Sequence, residues 1–330
     1  VKLMSTLVTV ITPTKNRLPL LREAMESVQR QTLEEWEHIV VDDGSDDGTA
    51  EEVARRAAID SRLRYVQRVG DKGGANACRN LGVRESRAEL IVFLDSDDLL
   101  DCDCLRRRVE VLERNRDLDF AVFPGAVFTE IVGDRGRLFS PVVLGSDLDR
   151  MLYFDHPWEI TSPIWRRSAL RTIGMFDEDL LSWQDVDLHV RALIMGMKYL
   201  KFDTPDHHIR WNHESTKTSV RQFDSADHLD QGVEIVRSFR DRLEDAGLLN
   251  WSRRRSLAGL IFLLAQRWTR NGSLASGLRT WRSAREMALA PAHLRWLGSL
   301  ILMAYRLKLL PPDYNERVVE RFKCAVRFVE

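Results

Sequence analysis

Cysteine is scarce in this chain. The four in 330 residues, Cys78, Cys102, Cys104 and Cys324, lack the paired spacing of a zinc site. A chain of this length does not need disulfide staples. Both facts favour a reduced, cytoplasmic setting, and the opening Val1-Lys2-Leu3-Met4 leads towards a strand without a secretory signal pattern. Long apolar runs are also missing. The longest, Leu257 to Ala265, has nine residues with arginines close on either side, short of the ~18 that a spanning helix needs. Charge of one sign is not in excess: 49 Lys and Arg stand against 50 Asp and Glu, which gives no support to a nucleic-acid partner. That balance hides an asymmetry, because between Trp251 and Leu310 eleven basic residues face a single acid, Glu286.

With 44% hydrophobic residues, the chain can bury one large core, or one core plus a smaller unit. Its first part alternates apolar runs with helical spacing. Leu7–Thr12, Glu37–Val41, Leu63–Gln67, Glu89–Leu94 and Phe120–Phe123 read as strands. Leu18–Gln29, Thr49–Ala58, Ala75–Arg84 and Leu105–Leu112 read as helices between them. This βαβ rhythm predicts an α/β fold with a mostly parallel sheet covered by helices. The rhythm loosens over residues 124–165, then offers a strand at Ile160–Trp165, helices at Arg167–Ile173 and Val186–Met195, and short strands at Tyr199–Phe202 and His208–Trp211. From about Ala226 the chain reads as helical to its end, with Gly247, Asn271-Gly272 and Pro291 as punctuation. The expected division is therefore 1–225 for the α/β domain and 226–330 for a basic, Trp- and Arg-rich helical subdomain.

Two acidic stretches follow apolar runs directly. Asp42-Asp43-Gly44-Ser45 follows Ile39-Val40-Val41, and Asp95-Ser96-Asp97-Asp98 follows Leu90 to Leu94. Both sit at carboxyl ends of buried strands, where open α/β sheets bind ligands. Carboxylates this close repel unless a cation intervenes, and hard oxygen ligands suit Mg²⁺ or Mn²⁺ carrying a phosphorylated ligand. An Asx turn or helix cap would explain Asp43 without chemistry, and solvated loop acids would explain the second stretch. Alternation puts Asp95 and Asp97 on one side of an extended segment, where they could share an ion or divide ribose and metal between them.

Other segments add candidates. Asp71-Lys72-Gly73-Gly74 opens a helix, and Lys72 or Arg79 could approach a phosphate, although neither a P-loop nor a dinucleotide fingerprint is present. Asp185 lies in the first turn of a helix, whose positive end favours a carboxylate, and Asp187 and Arg191 could pair at i,i+4. Among His207, His208 and His213, the last could supply a third metal ligand; His156 could line a cleft.

Taken together, these segments resemble a family-2 glycosyltransferase with the GT-A fold. The resemblance rests on Val10-Ile11-Thr12-Pro13-Thr14-Lys15-Asn16, the pairs Ser27-Val28 and Gln31-Thr32, and Val41-Asp42-Asp43-Gly44-Ser45. It continues through Gly74 to Gly82 with Cys78 where alanine is usual, Phe93-Leu94-Asp95-Ser96-Asp97-Asp98, Gly174-Met175-Phe176-Asp177-Glu178, and Gln184-Asp185-Val186-Asp187-Leu188. It implies a nucleotide-sugar site built from Pro13, Thr14, Asn16, Asp43, Asp71, Lys72, Arg79, Asp95 and Ser96. Asp43 would read the base and Asp95 the ribose side. Asp97, helped by His213, would hold Mn²⁺ or Mg²⁺ across the diphosphate, and Asp185 would be the general base of an inverting transfer. Gln184 stands where the family often has Glu. The Gln-x-x-Arg-Trp signature of processive synthases is missing before Arg210-Trp211, which implies one sugar per encounter.

UDP is the first expectation for the nucleotide. The acceptor would be a glycan, a lipid-linked glycan or a small molecule. A nucleotidyltransferase on the same fold, or a non-catalytic nucleotide-sugar binder, remains the alternative. The basic helices at 251–310 could pack on the core, contact the inner face of a membrane peripherally, or join copies into a homo-oligomer.

Overall fold

The computed structural model describes residues 7–70, 73–140, 143–211 and 225–307. Its chain divides into two compact units: Val1–Leu144, Pro157–Leu180 and Gly196–Asn212 form the first, and Gly145–His156, Leu181–Met195 and His213–Glu330 the second.

The first unit is the α/β fold that the sequence predicts. It holds strands β1 (Val8–Thr14), β2 (Trp36–Asp42), β3 (Leu63–Gln67), β4 (Leu90–Phe93), β6 (Phe120–Val122), β9 (Pro163–Arg166) and β10 (Tyr199–Lys201) in one sheet, ordered β10-β6-β9-β4-β1-β2-β3. Strands β1 and β2 are buried along their whole length, which is why their sequences are apolar runs rather than alternating ones. All pairings are parallel except those of β9, which runs antiparallel to both β4 and β6. The chain moves outward from β1 to β3, then returns to place β4 on the other side of β1. That reversal opens a crevice at the carboxyl ends of β1 and β4, the switch point at which such sheets bind ligands.

Helices α1 (Leu18–Gln29), α2 (Thr49–Ala57), α3 (Ala75–Glu85), α4 (Cys104–Arg114) and α6 (Arg167–Thr172) belong to the same unit. Helix α3 lies close on β1 at Gly82, where a Cβ would fall 2.4 Å from the Ile11 side chain. A second sheet, ordered β5-β11-β7-β8, joins β5 (Leu99–Leu100), β7 (Gly125–Phe128), β8 (Arg137–Leu138) and β11 (His207–Arg210). Gly125 lets β11 run beside β7, since a Cβ there would stand 2.6 Å from His207 Nε2.

The second unit is helical among its described residues. It comprises α5 (Asp147–Leu152), α7 (Gln184–Ile194), α8 (Ala226–Asp245), α9 (Trp251–Arg270), α10 (Leu274–Glu286) and α11 (Ala292–Arg306). The side chains of Ser225, Asn250 and Ser273 cap the amino ends of α8, α9 and α10, satisfying amides that would otherwise lack partners. No helix among the described residues is long and apolar enough to cross a membrane.

Candidate active site

Both acidic stretches fall at the crevice end of the first unit. Register pairs Thr14 with Asp42 at the ends of β1 and β2, and the Asp43 amide donates to Thr14 O at 2.9 Å. Asp42 turns inward, its carboxylate accepting from Ser45 Oγ at 2.6 Å and from the Tyr65 hydroxyl at 2.8 Å. It holds the turn, which leaves the crevice to Asp43. Asp43 accepts from Arg68 Nε and from the Gly74 amide at 2.9 Å, with Lys15 Nζ 3.8 Å away. Gly73 permits this approach, because a Cβ there would lie 3.1 Å from the Asp43 carboxylate. Asn16 adopts a left-handed conformation with φ 52° and closes the adjoining loop: its side-chain oxygen accepts from the Asp46 amide at 2.9 Å.

Across the switch point, Arg79 donates to Asp95 at 2.7 Å and Arg17 donates to Asp97 at 2.7 Å. The counter-charge that the sequence demands is thus supplied, in part, by two guanidiniums from distant segments. Burial raises the Asp95 carboxyl above its usual range, an effect opposed by Arg79 and reinforced by Asp97. Asp98 is buried and raised well above that range, first by burial, then by Asp97, Glu159 and Asp95. It accepts from the Arg210 amide at 2.9 Å, so β11 braces the acidic turn from beneath. Arg210 also donates to the Asp97 carbonyl at 3.0 Å.

Behind that turn lies a buried network. Arg108 donates to both oxygens of Asp206 at 2.7 and 2.8 Å and to Thr161 O at 2.7 Å. His207 bridges Asp206 at 3.0 Å and Glu159 at 2.6 Å. Burial opposes charge on the His207 ring, but its bonds to the two carboxylates prevail and raise its pKa. His207 therefore serves the scaffold of the acidic turn.

The residues fit a metal-bound nucleoside diphosphate on two observations. Among the described residues, the buried Thr14 hydroxyl and Arg79 Nε have no hydrogen-bond partner, which leaves donors unspent. Asp97 is a partly exposed carboxylate that accepts from Arg17. One or two carboxylates completed by phosphate oxygens is the coordination that Mg²⁺ and Mn²⁺ accept in nucleotide sites.

Of the other candidates, Pro13 and Thr14 end β1, and Ser96 is buried between the two acids. Asp71, Lys72 and His213 lie outside the described residues. Asp185 belongs to the second unit, half-buried in the first turn of α7 after Trp183, which takes the left-handed conformation with φ 59°. Asp187 pairs with Arg191 on the same helix at 2.7 Å, as its spacing predicts. His156 packs edge-on against Phe154, which contacts Trp183. The sequence does not single out Arg68, Glu159 or Arg210, and it offers Arg17 only, with Lys15, as a grip for the triphosphate of a nucleotidyltransferase.

Comparison with known proteins is consistent with this geometry. The model of glycosyl transferase family 2 matches residues 9–174, half of the chain. The uncharacterized glycosyltransferase EpsJ of Bacillus subtilis (strain 168) is 29% identical over 200 residues, 57% of this chain and 56% of that protein. The chain spans little more than half the length of the curated relatives it matches, and less of several. The structure of S. aureus TarS 1–349 in complex with UDP-GlcNAc superposes with a TM-score of 0.66 at 17% identity, covering 92% of each chain. The mannosyltransferase PcManGT from Pyrobaculum calidifontis, solved with GDP-Man and Mn²⁺, gives a TM-score of 0.51 at 17% identity, covering 97% of this chain and 85% of that one. At such identities the two structures establish a shared fold.

Proposed function

Because the chain belongs to glycosyl transferase family 2, we propose that it moves one sugar from a nucleoside-diphosphate sugar to an acceptor hydroxyl. A UDP-sugar is the first choice, and assembly of a cell-surface glycan or glycoconjugate the setting. The observation that carries this reading is the switch-point crevice: Asp43 follows β2, Asp95 and Asp97 follow β4, these strands flank β1, and each of the three acids is held by an arginine. UDP-GlcNAc in TarS and Mn²⁺ with GDP-Man in PcManGT lend it support.

In this reading Asp43 accepts from the nucleobase, and Arg79 and Asp95 set the ribose and phosphate side. Asp97, with His213, would hold Mn²⁺ or Mg²⁺; when bound, the ion would neutralise charge growing on the leaving diphosphate. Asp185 takes the proton of the acceptor hydroxyl as its oxygen forms a bond to the anomeric carbon. The bond from that carbon to the diphosphate breaks on the opposite face, and the configuration inverts. A carboxylate is a weak base, so it helps late, once bond formation has made the hydroxyl acidic. Positioning and charge stabilisation supply the larger share of the rate.

A nucleotidyltransferase would need cations at the end of β1 to grip a triphosphate, and Lys15 and Arg17 are the residues there that could serve it. Incubation with UDP-GlcNAc, UDP-glucose, GDP-mannose and a dTDP-sugar in Mn²⁺, over a panel of glycan, lipid-linked and small acceptors, separates the readings. Release of nucleoside diphosphate with sugar transfer is expected. Pyrophosphate release would overturn the assignment in favour of nucleotidyl transfer. Donor binding with no turnover on any acceptor would favour a non-catalytic binder.

A further inference from the structure

Helix α11 carries a face that nothing among the described residues covers. Its orientation is fixed from inside the helical unit. Trp281 of α10 is buried, meets Phe262 edge-on at 5.2 Å, and donates from Nε1 to Arg295 O at 2.9 Å. Its indole fills the space at Gly298, where a Cβ would fall 2.6 Å from the ring. Leu302, one turn further along, is 0% exposed. With Gly298 and Leu302 turned inward, the opposite stripe must face out.

That stripe is apolar. Trp296, Leu300, Met303 and Leu307 recur at spacings of four, three and four, and Leu297 adjoins them. Trp296 is 73% exposed, Leu300 57% and Leu307 68%. Exposed leucines scattered singly are ordinary, but five large apolar side chains gathered along one helix face mark a surface that meets something.

The charge of the segment that carries the face points to an occupant. Between Trp251 and Leu310 the only acid is Glu286, against eleven basic residues, of which Arg253 and Arg254 pair with Asp149 and Glu244. Arg295 spends its guanidinium on a neutral carbonyl, Ala290 O at 2.9 Å. Exposed Arg282, Arg285 and Arg306 have no carboxylate partner among the described residues. An apolar stripe on a basic helical segment is complementary to a bilayer with anionic headgroups: the apolar side chains enter the acyl boundary and the arginines remain among the phosphates.

We propose that the Trp296–Leu300–Met303–Leu307 face of α11 is a docking surface for an anionic lipid bilayer. The chain would then lie on the membrane rather than cross it, which brings it to acceptors carried on lipid. The surface does not depend on the transfer reaction, and its test uses no donor sugar, so failure of either idea leaves the other standing.

The test is flotation of the full chain with vesicles of pure phosphatidylcholine, and of phosphatidylcholine and phosphatidylglycerol in equal parts, at low and high salt. The chain is expected to float with the mixed vesicles at low salt, less at high salt, and little with pure phosphatidylcholine. Trp296→Ala combined with Leu300→Gln should lower binding to the mixed vesicles about tenfold or more, since two interfacial anchors are lost. Both residues are exposed, so the melting temperature should be unchanged. Three results would overturn the proposal. The wild type could fail to float with mixed vesicles at low salt. The double variant could float as well as the wild type, placing lipid contact elsewhere. The wild type could remain unbound yet sediment as an oligomer that the double variant dissociates, making a second copy the occupant.

Discussion

Arg17 donates from Nη1 to Asp97 Oδ2 at 2.7 Å, joining the end of β1 to the acidic turn after β4 across the switch point. The acid proposed to hold the metal therefore carries a guanidinium in the structure, and a metal on Asp97 would free that guanidinium for a phosphate of the donor.

Arg17→Ala should separate those two roles. With its own cation gone, Asp97 should bind Mn²⁺ at least as well as in the wild type. Nucleotide-sugar affinity should fall about tenfold, the worth of one charge-assisted hydrogen bond. Calorimetric titrations of Mn²⁺ alone, and with Mn²⁺ of the nucleotide sugar that the donor panel selects, measure each. Unchanged donor affinity would confine Arg17 to bracing Asp97.

Asp185→Asn keeps the shape of the first turn of α7 and removes the base. Donor affinity should stay within error of the wild type, while turnover should fall ~10²–10⁴-fold. Donor calorimetry beside single-turnover rates checks this, and full turnover in the variant would remove Asp185 from the chemistry.

Much of this arrangement is legible in the sequence, for physical reasons. Strands β1, β2 and β4 are buried on both faces, so they appear as unbroken apolar runs, and the residues after them are marked as strand-end residues. Helix α1 falls at Leu18–Gln29, and strand β3 at Leu63–Gln67, as their patterns predict. Two of the segments behind the family resemblance, Gly74–Gly82 and Gly174–Glu178, meet in space: Asn80 donates to Phe176 O at 2.9 Å and Asn76 to Asp177 O at 2.7 Å.

What the sequence hides is pairing across long separations. Nothing local to Arg17 or Arg68 points to Asp97 or Asp43, and Glu159 reaches His207 from a loop with no periodicity. Strands β5 and β8 have two residues each, too few for any pattern, and the antiparallel direction of β9 is set by its neighbours rather than by its own residues. The family resemblance singles out Asp43 over Asp42, but the Tyr65 hydroxyl, which with Ser45 turns Asp42 inward, is not local to the pair in sequence.

The buried Arg108–Asp206 pair should matter for stability. Both side chains are 0% exposed. Arg108→Met strands the Asp206 carboxylate and should cost about 3–5 kcal/mol, whereas Arg108→Met with Asp206→Leu should recover part of that loss. Urea unfolding of the three proteins decides it, and a single variant as stable as the wild type would contradict the account.

Two histidines give opposite pH dependences. His38 is buried beside the Thr12 hydroxyl, at 2.9 Å, and burial lowers its pKa from 6.5 to about 3. Below pH 6.5 the unfolded chain takes up a proton that the folded ring refuses, so stability should fall towards pH 3, by at most about 1.4 kcal/mol per unit from this group. His207 has a raised pKa, so its contribution is complete below 6.5 and is lost as pH rises through the raised value. Urea unfolding across pH should show His38→Gln flattening the acid limb and His207→Gln the limb above 6.5. Limbs unchanged by both substitutions would contradict this assignment.

The most direct test of the central claim is calorimetric titration of the nucleotide sugar that the donor panel selects into the wild type and Asp97→Asn, each with Mn²⁺ and with a chelator. The wild type should bind tightly only with Mn²⁺. Asp97→Asn should bind equally weakly in both, at an unchanged melting temperature. Metal-dependent binding in Asp97→Asn equal to that of the wild type would contradict the account.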